Sequence, residues 1–316
     1  MGPFEIMLKN VLLFVALAIP GYVFVKKGIV KPEQSGVLSK ILLYIGVPLM
    51  VMTSTMNVGL TSDVALGILA VLGLGIGVIL LMFVLSKPLW KHQTDEKKQG
   101  MLRFCSIFSN NGFLGIPLAN AVFGAGATAT LYLVVLNILS NVAMYTLGIY
   151  LIAADKNAMN FKKALVSPVV IGFVAGLACN LLSVKTAVPE VYSYANYFYN
   201  VVTPISMMIL GMKFGEIPMS ALFKNKKMYV VAACKLLAMP VLVMTISLLL
   251  RTLVGLSTDM VLAAFVAFAT PTAALASTFS DNHNGDTEGA VIYTLGTTVL
   301  CVVSVPILYA LVCMIL

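Results

Sequence analysis

The stretch SNNGFLGIPLANAVFG, from Ser109 to Gly124, breaks a long apolar segment with polar and flexible residues that no continuous helix favours. Gly112 is a natural end for a first half-helix. A second half-helix can begin between Gly115 and Pro117, because proline in the first helical turn loses no needed hydrogen bond. The stretch therefore predicts a helix that is interrupted in the middle of an apolar span.

The chain around this stretch is strongly apolar. Of its 316 residues, 60% are hydrophobic and only 10% are charged, and the mean hydropathy is +1.01. This composition leaves too little polar surface for a soluble core of this size, so it predicts an all-α membrane protein and excludes a soluble enzyme. The lysines behind the net charge of +8 lie mostly in short loops, which indicates membrane topology and no nucleic-acid partner.

A second apolar segment repeats the interruption in the stretch FATPTAALAS, from Phe268 to Ser277. Here Thr270 can cap, and Pro271 can open, a second half-helix. We expect the two interrupted helices to cross near the middle of the membrane. Because irregular backbone at that depth is tolerated only where it lines a cavity or lies buried in protein, the two breaks predict a functional site.

Stretches without Asp, Glu, Lys or Arg predict the membrane spans. The stretch from Phe104 to Ala154 is long enough for two spans with a turn near Gly124 to Ala127, so nine stretches predict ten transmembrane helices, of which helices 4 and 9 are broken. The other eight stretches are Asn10 to Val25, Ile41 to Ser62, Val64 to Ser86, Ala164 to Val184, Val191 to Met212, Met260 to Ser280, Gly289 to Leu316 and, interrupted only by Lys235, Met228 to Leu250.

The basic residues predict the orientation. Sixteen of the 20 Lys and Arg residues lie in the loops after spans 1, 3, 5 and 7, three lie on the opposite side, and Lys235 lies inside a span. Because basic loops are retained in the cytoplasm, this split predicts a multi-pass protein of the plasma membrane with both termini outside the cytoplasm.

Two pairs of prolines indicate an internal repeat. Pro48 returns 156 residues later as Pro204, and Pro117 returns 154 residues later as Pro271. This period divides the ten spans into two five-helix repeats, residues 1–158 and 159–316, and an odd number of spans inverts the second copy. Inverted repeats are typical of alternating-access transporters. We expect Pro48 and Pro204 to kink their helices and not to contact a ligand.

The two breaks are suited to an anion. Free N–H groups at the starts of the half-helices carry partial positive charge, which favours a carboxylate in a low-dielectric setting. Nearby amides and hydroxyls are expected to add contacts, although such groups can instead satisfy the broken backbone or join helices. The candidate substrate-binding residues are Asn110, Asn111, Gly112, Gly115, Pro117, Asn137, Asn141, Thr270, Pro271 and Thr272.

Lys235 is the only formal charge well inside a predicted span. It is a candidate counter-ion for a substrate, or an ammonium that steadies the carbonyl ends of the half-helices, unless it reaches back to the lipid headgroups. No Asp or Glu lies comparably deep, so neither a carboxylate proton relay nor an acidic sodium cage is predicted. The five cysteines have no paired spacing, and the sequence predicts no metal site and no cofactor.

On these residues the chain resembles the auxin efflux carrier family, which includes bacterial members described as malate or malonate permeases. The resemblance rests on SNNGFLGIPLANAVFG, the following LNILSNVAMYTLGIYL, GVPLM in span 2 and ATPTAALAS in span 9. It implies the inverted ten-helix fold of sodium/proton antiporters and bile-acid transporters, with a scaffold of helices 1, 2, 6 and 7 and a moving bundle of helices 3–5 and 8–10. It also implies that the family's crossover asparagine is Asn110 or Asn111.

The resemblance implies an elevator-type secondary transporter of small organic anions and no enzyme. The chain lacks the long loop between spans 5 and 6 of the plant members, which argues against auxin itself as the substrate. Two alternatives remain open, a sodium-coupled organic-anion symporter of the bile-acid type and a membrane ligand sensor that does not transport. The expected partners are the anion, membrane lipids and, through the scaffold helices, a second copy of the chain.

Overall fold

The computed structural model describes residues 2–124 and 126–316, and within these ranges it is helical, with one isolated β-bridge between Ser109 and Thr272. Ala125, part of the predicted turn, lies outside the described residues. The helices up to residue 165 are α1 (Pro3–Lys26), α2 (Ser35–Ile41), α3 (Val47–Met56), α4 (Ser62–Leu89), α5 (Glu96–Ile107), α6 (Ile116–Phe123), α7 (Thr128–Ala143), α8 (Ile149–Ala153) and α9 (Phe161–Leu165). The later helices are α10 (Pro168–Leu181), α11 (Val184–Ala187), α12 (Pro189–Glu216), α13 (Met219–Lys224), α14 (Lys226–Ala233), α15 (Met239–Val254), α16 (Thr258–Ala269), α17 (Leu275–Asn282) and α18 (Thr287–Ile315).

Seven helical segments of the described chain are long and apolar enough to cross a membrane. Two shorter apolar segments, Asn111–Phe123 and Thr258–Ala269, lie beside the two breaks, and α12 has 28 residues but is less apolar. These helices agree with an all-helical protein that crosses the membrane several times, whereas ten spans remain a prediction. The seven segments are Pro3–Lys26, Pro32–Met56, Ser62–Leu89, Thr128–Ala153, Lys156–Leu181, Lys226–Val254 and Thr287–Ile315.

Wide π-helical turns precede three of the prolines. Pro48, Pro117 and Pro240 each occupy the second residue of a helix that directly follows such a turn. Proline has no N–H and its ring crowds the preceding turn, so a wider turn accommodates the missing hydrogen bond. Pro204, by contrast, lies inside the uninterrupted helix α12. The π-helical turns of the described chain are Leu42–Gly46, Asn111–Gly115, Met144–Gly148 and Cys234–Ala238.

Close packing of α1 against α12 depends on two glycines. A Cβ atom at Gly21 would overlap the backbone of Met208, and one at Gly211 would overlap the carbonyl of Ala18. Small residues of this kind let membrane helices approach to backbone contact. Since α3 packs against both α10 and α12, these four helices form one packed group.

A second group of helices is packed around α7. α7 contacts α4 and α16, α5 contacts α8, and α18 contacts α14 and α17. Large aromatic side chains of α5 and α16, including Phe104, Phe265 and Phe268, are fully buried in this group. The two groups meet where α1 contacts α18 and α6.

Candidate binding site at the two helix breaks

The two breaks predicted from the sequence meet in space. The first lies between α5 and the π-helical turn Asn111–Gly115, and the second lies between α16 and α17. The first half-helix ends at Ile107 and not at Gly112, which lies inside the π-helical turn that leads into α6. The backbone N–H of Asn110 donates to the carbonyl of Pro271 at 2.8 Å, and that of Ala273 donates to the carbonyl of Phe108 at 3.0 Å. The backbone N–H and carbonyl groups that lack helical partners at one break therefore bond to those at the other. Buried backbone groups need such partners. We call this contact the junction, comprising residues 108–115 and 270–275.

Asn111 is fixed by side-chain hydrogen bonds on both sides. Its Oδ1 accepts from the Thr270 hydroxyl at 3.1 Å, and its Nδ2 donates to Ser140 Oγ at 3.4 Å. Thr272 is fixed as well, because its hydroxyl donates to the carbonyl of Cys105 at 2.9 Å. Asn111, Thr270 and Thr272 are almost fully buried, so in this conformation they join the junction to its surroundings.

The side chain of Asn110 differs from that of Asn111, since it has no hydrogen-bond partner among the described residues. It is 7% exposed and lines both cavities that reach the junction. An amide that makes no hydrogen bond within the described protein and lines both cavities is a candidate contact for a ligand, because its donors and its acceptor are open to a partner in the cavity.

Asn137 supplies a second free amide. The Nδ2 of Asn141 donates to the Asn137 carbonyl at 2.8 Å and to Asn137 Oδ1 at 3.2 Å. The Asn137 oxygen must therefore face Asn141, and its own Nδ2 is buried with no partner among the described residues. Both asparagines line the small cavity beside the junction, together with Gly112.

Lys235 turns into the protein and does not reach the lipid headgroups. It lies in the π-helical turn Cys234–Ala238 and is fully buried. Its ammonium donates to Ser109 Oγ and to the carbonyl of Phe268 at 3.0 Å. Phe268 is near the end of α16, where carbonyl groups lack helical partners and carry partial negative charge. The lysine therefore links both breaks by charge-assisted hydrogen bonds.

Gly115, Pro117 and Pro271 shape the junction through the backbone. A Cβ atom at Gly115 would lie 3.1 Å from Asn111 Oδ1, so a larger residue would press on that amide. Pro117 is the second residue of α6. The prediction that Thr270 caps and Pro271 opens the second half-helix is wrong, because Thr270 ends α16 and α17 begins only at Leu275. Pro271 instead offers the carbonyl that accepts from the Asn110 N–H. None of these three residues lines either cavity at the junction.

Two adjacent cavities reach the junction. The inner cavity has a volume of about 30 Å³, room for about two water molecules, and Gly112, Asn137 and Asn141 lie in its wall. The larger one, which we call the vestibule, has about 490 Å³ and runs from Asn110 past Ser206 and Lys213 to Glu33 and Asp281. The residues common to both walls are Leu43, Asn110, Phe113, Ala274 and Leu275.

The charges around the junction are positive. Lys235 and Arg103 are the only charged side chains among the buried residues of the described chain. Arg103 is bound to Ser86 Oγ and the carbonyl of Phe83, away from the two cavities. Free amide donors beside a buried ammonium, with no buried carboxylate, form an environment that favours a small anion.

The sequence interpretation did not single out Ser206 or Ser140. Ser206 on α12 donates to the carbonyl of Phe113 at 3.1 Å and so ties the first group of helices to the junction. Ser140 lies between Asn137 and Asn141 and faces Asn111. The signal for Ser206 was its position two residues after Pro204, at the level of the break, but a lone serine in an apolar helix is common.

The apolar helical segments and the buried polar junction define a multi-pass membrane protein. The family described as membrane transport protein, which is the auxin efflux carrier family, matches residues 6–164 and 154–309. The chain belongs to this family, as the resemblance in its sequence implied.

Two transporters of archaea are similar to the chain. An uncharacterised transporter from Methanothermobacter thermautotrophicus is 24% identical over 211 residues, which are 65% of this chain and 67% of that protein. Another from Methanocaldococcus jannaschii is 33% identical over 122 residues, which are 36% of this chain and 37% of that protein. Neither description states a substrate.

Proposed function

We propose that the chain is a secondary transporter of small organic anions, and that the anion binds at the junction. The observation that carries the proposal is a pair of amide groups without a partner among the described residues, that of Asn110 in the wall of both cavities and Asn137 Nδ2 in the wall of the inner one. Ser109, to which the buried Lys235 ammonium donates, lies in the same inner wall. The two amides can donate hydrogen bonds to a ligand, whereas the Lys235 ammonium already has three acceptors, Ser109 Oγ, the Phe268 carbonyl and Met239 Sδ, and contributes only its charge. The buried part of the described chain offers no acidic side chain to a cation. A carboxylate accepts hydrogen bonds only, so it matches this set of donors.

The proposed architecture is two inverted five-helix repeats with crossed helices 4 and 9. This architecture is supported by the recurrence of a proline at Pro271, 154 residues after Pro117, and by the backbone hydrogen bonds between the two breaks. The family match is itself divided into residues 6–164 and 154–309, close to the proposed boundary between 158 and 159.

The proposed movement is an elevator motion of one helix group against the other. Its scaffold is the group of α1, α3, α10 and α12, and its moving bundle is the group around α7, which contains both breaks. A second copy of the chain can bind through the scaffold without blocking that motion. The vestibule reaches the loops that hold most of the basic residues, so we propose that the structure is open to the cytoplasm.

The proposed transport is a uniport or export that needs no coupling ion. An inside-negative membrane drives a monovalent anion outward by about 2.3 kcal/mol per 100 mV. The Lys235 ammonium is hydrogen-bonded to the Phe268 carbonyl and to Ser109 Oγ, so these two oxygens are not available to coordinate a sodium ion. Lys235 therefore supplies the fixed positive charge in this region.

The test is flux of labelled malate, malonate and indole acetate in proteoliposomes under an imposed potential, with and without sodium or a pH gradient. We expect potential-driven flux without sodium. Flux that requires sodium would favour the alternative of a sodium-coupled symporter. Binding of an anion to the purified protein without any flux would favour a membrane sensor.

A further inference from the structure

The vestibule contains a second set of groups that can bind an anion. We propose that Lys213, with Ser277 and Thr294, forms a subsite for a carboxylate, separate from the donors at the junction. This inference rests on the proposed function, because the carboxylate belongs to the transported anion.

Lys213 presents a cation with unused donors to the vestibule. It is partly buried near the end of α12, and its ammonium donates to Ser277 Oγ at 3.1 Å, its one hydrogen bond among the described residues. An ammonium carries three donors, so two are free for a ligand. Ser277 lies in the first turn of α17, whose N-terminal end carries partial positive charge.

Thr294 on α18 gives an independent indication of a ligand. Its side chain is only 6% exposed, it lines the vestibule, and its hydroxyl has no partner among the described residues. A buried hydroxyl without a partner is costly. Because solvent does not reach this oxygen, it donates to a carboxylate in the vestibule only after the side chain rotates towards the cavity.

The position of Lys213 separates this subsite from the junction. Ser206, which contacts Phe113 at the first break, is two helical turns before Lys213 on the same face of α12. Seven residues of α-helix span about 10.5 Å. This distance refers to the backbone, whereas the ammonium itself reaches Ser277, two residues after the end of the junction. The subsite therefore adjoins the junction on the side of the vestibule.

None of the nearby carboxylates accepts a hydrogen bond from the Lys213 ammonium in the described chain. Glu33, Glu216 and Asp281 line the vestibule but are exposed at its mouth. The Asp281 carboxylate accepts from the Thr287 hydroxyl at 2.9 Å. Glu216 and Asp281 attract the Lys213 ammonium through space, but neither forms a hydrogen bond or ion pair with it in the described chain, so its two remaining donors are available to an anion in the cavity.

Two sources of the carboxylate are compatible with this position. It is either the second acidic group of a dicarboxylate whose first group is at the junction, or the single group of a monocarboxylate that stops here on its way inward. In either case Lys213 contributes to the affinity for the transported anion. The two cases are distinguished by whether dicarboxylates alone or monocarboxylates as well depend on the lysine.

The experiment compares wild type, Lys213→Gln, Lys213→Arg and Lys224→Gln in proteoliposomes, with acetate, propionate, malonate and succinate as labelled solutes at zero potential. Lys224 is exposed on α13 and is absent from the wall of the vestibule, so its substitution controls for a general loss of charge. We expect Lys213→Gln to raise KM about tenfold with little change in maximal rate. A tenfold change corresponds to the loss of one hydrogen bond to a charged group. Lys213→Arg and Lys224→Gln should keep KM within about twofold of wild type.

If Lys213→Gln raises KM only for malonate and succinate, Lys213 binds the second acidic group of a dicarboxylate. If it raises KM for all four acids, Lys213 binds the single carboxylate of an acid on its way inward. A fall in maximal rate at unchanged KM would overturn the proposal, because Lys213 would then only tie α12 to α17. An equal rise in KM in Lys224→Gln would also overturn it.

The melting temperatures of the purified proteins with and without the same acids test the subsite independently of transport, because a bound ligand stabilises the folded protein. If wild type moves no acid, the transport function fails, yet a rise in melting temperature with malonate or acetate that Lys213→Gln abolishes would still support the subsite. No rise in wild type or an equal rise in both proteins would overturn it.

Discussion

Asn110 and Asn111 are adjacent in the sequence but have different surroundings. Asn111 uses both amide atoms for Thr270 and Ser140, whereas the Asn110 amide has no partner among the described residues and lines both cavities. In the proposed mechanism Asn110 therefore contacts the anion and Asn111 holds the junction together.

Asn110→Ala should impair anion binding without impairing the fold. It removes no hydrogen bond made by a side chain of the described protein, so the melting temperature should stay near that of wild type, while KM for the transported anion rises about tenfold. Asn111→Ala should instead lower stability by about 1–3 kcal/mol, because it leaves buried partners unsatisfied. Thermal unfolding in detergent and flux measurements distinguish the two variants. Equal effects on stability would contradict the assignment.

Lys235→Met should abolish most of the anion flux while the protein still folds. Methionine keeps an unbranched side chain of similar length, and relief from burying a charge offsets part of the lost hydrogen bonds to Ser109 and Phe268. Flux and size-exclusion chromatography of the same preparations test this. Flux within about twofold of wild type would mean that the ammonium has no electrostatic role in transport.

The sequence could predict which residues meet at the junction but not how each is used. The interruptions at Asn110 to Pro117 and at Thr270 to Thr272 are visible as clusters of polar residues, glycine and proline in apolar segments. Whether an asparagine is free or bonded depends on neighbours about 30 or 160 residues away, as with Ser140 and Thr270, and no local pattern contains that information. Lys213 directly follows the apolar stretch Val191 to Met212, so the sequence alone places it in a loop.

At the scale of helices, the contact between α1 and α12 depends on the absence of side chains. Gly21→Ala and Gly211→Ala should each destabilise the protein by about 1–3 kcal/mol, because the added methyl group would overlap a backbone carbonyl or its neighbours. Gly73→Ala in α4 is the matched control, since nothing lies within 4 Å of its Cβ position, and it should be neutral or slightly stabilising. Melting temperatures in detergent test the comparison. Equal stability of all three variants would contradict the close approach.

The breaks in the helices were predictable, but the π-helical turns were not. A missing N–H at Pro117 or Pro271 is a local property that follows from the sequence alone. The wide turns before Pro48 and Pro240 are one of several ways to accommodate a proline, and packing selects among them. The turn at Cys234–Ala238 is the local structure that contains Lys235.

For the whole molecule, the position of the vestibule predicts which side of the membrane it opens to. In a variant without native cysteines, a cysteine in place of Thr278, which lines the vestibule, should react with a membrane-impermeant thiol reagent added to the cytoplasmic side. A cysteine in place of the exposed Lys185 should react from the opposite side. The reverse pattern would contradict the orientation inferred from the basic loops.

The most direct test of binding at the junction is protection of a cysteine there by the transported anion. Ala274 lines both cavities and is a small residue, so Ala274→Cys in the cysteine-free background places a thiol beside the proposed site. We predict that the anion slows alkylation of this thiol, with half-protection at its KM for flux, and that Asn110→Ala shifts both values together. Alkylation that is insensitive to a transported anion would contradict binding at the junction.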